Sequence, residues 1–205
     1  MRKKAAASIL ALFLLLALLV GCRSEEPEKQ ASAGLTYDTL SETTCLVSGR
    51  GSCTDEAIII PETSPAGKSV VGVAPYAFQN DTVMTSVSLP KTAVEIGAYA
   101  FAGCEGLTYF QFPDKLERVG AFAFSRCGGI TRFFLGSSLT AVGDGAFSGC
   151  NAMQYAFFRG GDDAWAKVAV GSNNSALTMN LYLYSTTRPV SGRYWYYSGG
   201  NILIW

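Results

Sequence analysis

Residues 96–112 read IGAYAFAGCEGLTYFQF, residues 119–135 read VGAFAFSRCGGITRFFL, and residues 142–158 read VGDGAFSGCNAMQYAFF. The three stretches begin 23 residues apart, and VAPYAFQNDTVMTSVSL at 73–89 keeps the same register. Phe78, Phe101, Phe124 and Phe147 form one column, each behind an alanine (Ala77, Ala100, Ala123, Ala146). Val73, Ile96, Val119 and Val142 form another, and Gly97, Gly120 and Gly143 follow the last three of these. Cys104, Cys127 and Cys150 share a column, as do Met84, Leu107, Ile130 and Met153. Two further columns are Val87, Phe110, Phe133, Ala156 and Leu89, Phe112, Leu135, Phe158. Many columns in one register over four units mark an internal repeat, and a period of this length belongs to stacked-coil architectures.

The last three columns give an L-x-x-L-x-L spacing, as in Leu107-x-x-Phe110-x-Phe112. Alternation at its end predicts a short strand with one face inward. The Ala-Phe segment before it is compatible with a brief helical or 3₁₀ turn, which Gly103 or Gly149 would end in left-handed geometry. Each unit is then one coil, and coils bury their apolar sides only by stacking. The expected fold is a repeat solenoid of about four to five coils. It has one parallel sheet face, short helical turns opposite, and hairpin caps at both ends. The coils span residues 69–156, the N-terminal cap 35–68 and the C-terminal cap 157–205. The N-terminal cap is read as a hairpin around SGRGS (48–52) and a strand at AIIIP (57–61). The C-terminal cap is read as closing in a hairpin at Gly199-Gly200 that carries Trp195 and Trp205.

These units resemble the BspA-like leucine-rich repeats of bacterial surface proteins. The tail resembles that family's C-terminal element: Gly161 to Trp165, then YSTTRP, then YWYYSGGNILIW. The resemblance covers about residues 40–205. It implies a non-catalytic α/β or β-rich leucine-rich-repeat protein that binds host matrix proteins, other cells, polysaccharide or an envelope protein. The sequence departs from the pattern at Asp81, in the cysteine column, at Arg126, where a small residue is expected, and at Tyr196, where a histidine is expected.

The N-terminus reads as one processing unit. MRKK is a basic head, and Ala5 to Val20 is an uncharged Leu/Ala-rich run, short for a membrane span. Leu19-Val20-Gly21-Cys22 resembles the lipobox of bacterial lipoproteins. That implies a signal peptide over 1–21, a lipid thioether on Cys22, and a flexible tether over 22–34. The expected location is outside the cytoplasm, anchored by lipid to the cell membrane or the outer envelope.

The composition excludes several classes. Only 16% of residues are charged and 49% are hydrophobic, which argues against disorder and against nucleic-acid binding. Without residues 1–21 the chain keeps 13 basic and 16 acidic residues, so anionic surfaces have no general pull on it. There is no histidine, hence no common general base or metal ligand. No nucleophile elbow, metalloprotease motif or phosphate loop is present. No catalytic residue, metal or cofactor is expected. The Cys104, Cys127 and Cys150 ladder reads as small apolar core filler. Cys45 and Cys53 could pair across a hairpin turn in an exported protein, or sit reduced in the cap core.

The outward positions of the strands supply the candidate site. Strands about 4.8 Å apart bring Tyr109, Arg132, Phe134, Tyr155 and Phe157 into one patch on neighbouring coils. Tyr, Arg and Phe are typical of binding surfaces. The competing reading is that the C-terminal cap folds over Phe134 and Phe157. The expected function is adhesion or ligand recognition through the concave sheet face. The alternatives are an envelope scaffold or spacer without an external ligand, and a secreted immune-modulating or inhibitor protein.

Overall fold

The computed structural model describes residues 30–205. Cys22, the leader and most of the tether lie outside the described residues. Two sheets run the length of the stack. The first holds β1 (Thr36–Thr39), β2 (Thr44–Gly49), β4 (Ser69–Val73), β6 (Glu95–Ile96), β8 (Arg118–Val119), β10 (Ala141–Val142) and β12 (Ala169–Val170), in that order. The second holds β3 (Ala57–Ile59), β5 (Ser86–Ser88), β7 (Tyr109–Gln111), β9 (Arg132–Leu135), β11 (Tyr155–Phe158), β13 (Leu181–Tyr184), β14 (Tyr194–Ser198) and β15 (Asn201–Ile204). All pairings are parallel except β1 with β2 and β14 with β15, the hairpins at the two ends. Two short helices, α1 (Asp162–Trp165) and α2 (Ser175–Met179), lie beyond the last full repeat.

The repeat period is the pairing register. Ser86 faces Tyr109, Phe110 faces Phe133, and Arg132 faces Tyr155, each partner one period away. Like residues therefore sit over like. The phenylalanine column stacks at 5.4, 5.3 and 5.6 Å between ring centroids. Phe110 and Phe133 meet that column edge-on at 4.7 and 4.8 Å, the geometry aromatic quadrupoles prefer. Each fully buried phenylalanine contributes about 1.5–3 kcal/mol of apolar burial.

Three features differ from the sequence reading. Each coil carries two strands, because the Val73, Ile96, Val119 and Val142 column builds a second sheet. The glycines that follow let successive coils approach. A Cβ on Gly120 would lie 2.5 Å from Ala98 N and 2.6 Å from Gly97 C. The Ala-Phe segment is a run of turns, with Tyr99 and Phe122 at φ 57° and 56° and Gly103 and Gly149 at 74° and 76°. Its amides alternate between local turn bonds and carbonyls of the next coil, as in Phe101 N to Ala123 O at 2.8 Å and Ala102 N to Tyr99 O at 3.1 Å. A helix would forfeit those bonds between coils. The coil count is about six, because β2, β12 and β13 continue the parallel ladders into both end segments.

The ends are closed by polar groups as well as hairpins. The N-terminal hairpin turns between Thr39 and Thr44, ahead of SGRGS, which instead ends β2. Asp81, at the head of the cysteine column, accepts Arg50 Nε at 2.6 Å and the amides of Val83 and Met84. Arg50 also donates to the carbonyl of Asp55 at 2.7 Å. At the other end Asn174, 4% exposed, accepts the Phe147 amide at 3.1 Å. Its Nδ2 donates to the carbonyls of Gly143 and Gly171 at 2.9 Å and of Ser172 at 3.2 Å. The closing hairpin turns at Gly199-Gly200, both at positive φ (56° and 81°), as a two-residue turn requires.

Candidate functional site

The five cysteines among the described residues are buried in the core. Cys104, Cys127 and Cys150 are buried thiols that donate to the carbonyls of Phe78, Phe101 and Phe124 in the preceding coil, at 3.0–3.1 Å. Burial pushes Cys104 and Cys150 up to about 12 and raises Cys127 likewise, so all three are neutral and unreactive. Cys45, on β2, and Cys53, in the turn after it, are buried free thiols that fill the N-terminal cap; no bond joins them. Burial, and then the two thiols, raise the pKa of the adjacent Tyr37.

The outward face of the second sheet divides in two. Phe157 is 4% exposed, and the expectation that it is open to a ligand is corrected. Trp195, fully buried on β14, packs on it at 5.5 Å, and Tyr182 at 5.8 Å. Trp195 is held there by an Nε1 hydrogen bond to the Phe158 carbonyl at 2.9 Å. Phe134 and Tyr155 are half-buried against the same ring at 5.4 and 5.5 Å. This end of the aromatic patch is the seat of the C-terminal cap. Tyr196 and Trp205 stack on one another at 4.1 Å on the same hairpin.

The rest of the face is open. Tyr109 is 52% exposed, and Arg132 is exposed beside it on the next strand. Arg132 and Tyr155 also border a cleft of about 240 Å³ under Ile202 and Ile204 of β15. A larger groove, about 480 Å³, runs from Tyr109 along β5 and β7 to the loops holding Lys91 and Lys115. The sequence reading missed Lys91, Lys115 and Arg159 in this wall, because they lie in loops outside the repeating strand columns. Asp162 and Asp163 open α1, and Asp162 accepts Tyr194 Oη at 2.9 Å, which raises the tyrosine's pKa. Both lie in the first turn of α1, where the helix dipole favours a carboxylate.

Residues 72–163 match the model of the BspA-type leucine-rich-repeat region, in six copies. Within that stretch the coils are repeats of the BspA type. Similar solved structures are leucine-rich-repeat proteins too. The T. pallidum leucine-rich-repeat protein (TpLRR) is 24% identical, with TM-score 0.64 over 77% of this chain and 72% of that one. A leucine-rich-repeat protein from Bacteroides capillosus is 19% identical, with TM-score 0.54 over 64% of this chain and 98% of that one. A leucine-rich cell surface protein from Faecalibacterium prausnitzii is 22% identical, with TM-score 0.51 over 68% of this chain and 41% of that one. At these identities the likeness is one of fold. No curated protein sequence matches the chain at a significant level. Stacked coils of this kind display an extended surface on one side of the solenoid.

Proposed function

We propose that this chain is a non-catalytic binding protein of the bacterial cell surface, anchored by a lipid on Cys22 and recognising its ligand through the open part of the second sheet. The observation that carries the reading is Tyr109. It is a half-exposed aromatic beside Arg132, on a face where Phe157 is buried under the chain's own cap and Phe134 and Tyr155 are half-buried beside it. An aromatic left open on a well-capped solenoid is a candidate anchor. Phe134 and Tyr155 contribute the rim where the cap meets the open face. The surface location draws support from the Leu-Val-Gly-Cys run and from the likeness to a leucine-rich cell surface protein.

The test has two arms. In bacteria expressing the full chain, labelled palmitate should enter the protein and be lost in Cys22→Ala. On arrays of extracellular-matrix proteins and envelope polysaccharides, saturable binding should fall when Tyr109, Arg132 and Tyr155 are changed together to alanine. Binding that persists in that folded variant refutes this face as the recognition surface, whereas no binding by either folded chain, or a chain inaccessible to antibody on intact cells, refutes adhesion and favours the scaffold.

A further inference from the structure

The groove beside Tyr109 differs in charge from the rest of the chain. Lys91, Lys115 and Arg159 line it against one carboxylate, Asp114, which pairs with Arg159. Among the described residues neither lysine is in an ion pair. The chain after Gly21 has 13 basic and 16 acidic residues, so this wall is locally of opposite sign. Ser88 and Gln111 are in-register neighbours on β5 and β7. Tyr109 Oη donates to Gln111 Oε1 at 2.8 Å, which fixes the exposed ring before any ligand arrives.

From this geometry we infer that the groove binds an anionic polysaccharide, a chain of sugar rings bearing carboxylates. This rests on the reading of the open sheet face as the recognition surface. A protein partner's anchors are several aromatic side chains in a desolvated pocket. Here a single exposed ring stands beside the hydroxyl of Ser88 and the amide of Gln111, on a wall otherwise made apolar by Leu89 and Pro113, which suits a sugar ring with apolar C–H groups on one face and hydroxyls at its rim. Two unpaired ammonium groups favour a carboxylated sugar over a neutral one. The volume accommodates a few rings, within the size range of small-ligand sites.

The test uses the full chain in detergent micelles with polygalacturonate, neutral dextran and poly-glutamate, read by calorimetry. Polygalacturonate should bind saturably, with dextran and poly-glutamate at least about tenfold weaker. Tyr109→Ala, and Lys91→Gln with Lys115→Gln, should each weaken binding about tenfold or more. These side chains are exposed, so unchanged melting temperatures will show that the variants remain folded. Equal affinity for poly-glutamate, or no effect of Tyr109→Ala, overturns the inference, because charge alone would then suffice. If polygalacturonate fails to bind but an arrayed protein binds and is lost with Tyr109, the glycan inference falls and the recognition face stands. If nothing binds, both fall.

Discussion

Asn174 ends the ladder of hydrogen bonds between coils, and replacing it should unseat the last coil. In each earlier coil the phenylalanine amide donates to an alanine carbonyl of the next coil, as Phe124 N does to Ala146 O at 2.8 Å. Phe147 has no such carbonyl ahead of it, and Asn174 Oδ1 takes its place. The amide group also ties Gly143 of the last repeat to Gly171 of the next segment. Three well-formed bonds at about 0.5–1.5 kcal/mol net each, plus a buried Phe147 N–H left unsatisfied at about 1–3 kcal/mol, set the scale. Water entering from the open end recovers part of it, so Asn174→Ala should cost about 3 kcal/mol. At about 2–4 °C per kcal/mol for a domain of this size, the melting temperature should fall by roughly 6–12 °C. Thermal circular dichroism measures the total, and hydrogen exchange at the Phe147 amide measures the locus. Coils interact only with neighbours, so exchange near Phe78 should change far less. Asn174→Asp keeps the acceptor but sets a carboxylate against the carbonyls of Gly143, Gly171 and Ser172, and should lose at least as much. A fall below 2 °C in Asn174→Ala with Phe147 still protected would refute the reasoning.

Other outcomes follow from the same packing. Gly120→Ala should destabilise by about 3 kcal/mol in chemical denaturation, since its Cβ meets backbone at 2.5 Å, while Gly128→Ala, with open space, should stay within about 0.5 kcal/mol. Trp195→Ala should cost about 3–5 kcal/mol and raise binding of a hydrophobic dye as Phe157 is uncovered. The cysteine ladder should give a pH dependence. Burial raises the folded-state values of Cys104 and Cys150 to about 12, so their contribution is complete below the unfolded thiol value near ~8.5 and lost as pH climbs toward 12. Melting temperature measured from pH 8 to 11 should therefore fall less steeply in Cys104→Ala with Cys150→Ala than in the parent chain.

The coiled architecture was legible in the sequence because the period of the repeat is also the register of strand pairing. A column of Phe101, Phe124 and Phe147 in the chain is a stack of rings in the core, with no long-range inference between the two. The second sheet was not legible, since a two-residue strand such as Glu95–Ile96 has no alternation to detect. The run of turns was not legible either. Its conformation depends on bonds to the neighbouring coil, and non-glycine residues such as Tyr99 hold positive φ only because that neighbour supports them.

For the site, alternation along β7, β9 and β11 correctly placed Tyr109, Arg132 and Phe134 on outward positions in adjacent strands. It could not separate an open ring from a covered one. Phe157 and Tyr109 occupy equivalent faces of the sheet, yet one is buried and the other half-exposed. That difference comes from Trp195, which lies far along the chain and outside the repeat, and from the fold of one closing hairpin. The sequence by itself determined what repeats: the coil, its core and the outward columns. Only tertiary structure decided what does not repeat: how the caps close on the end coils, the covered end of the face and the cationic groove. Local periodicity reports a residue's neighbours in the stack, whereas exposure depends on whatever else in the chain packs over it.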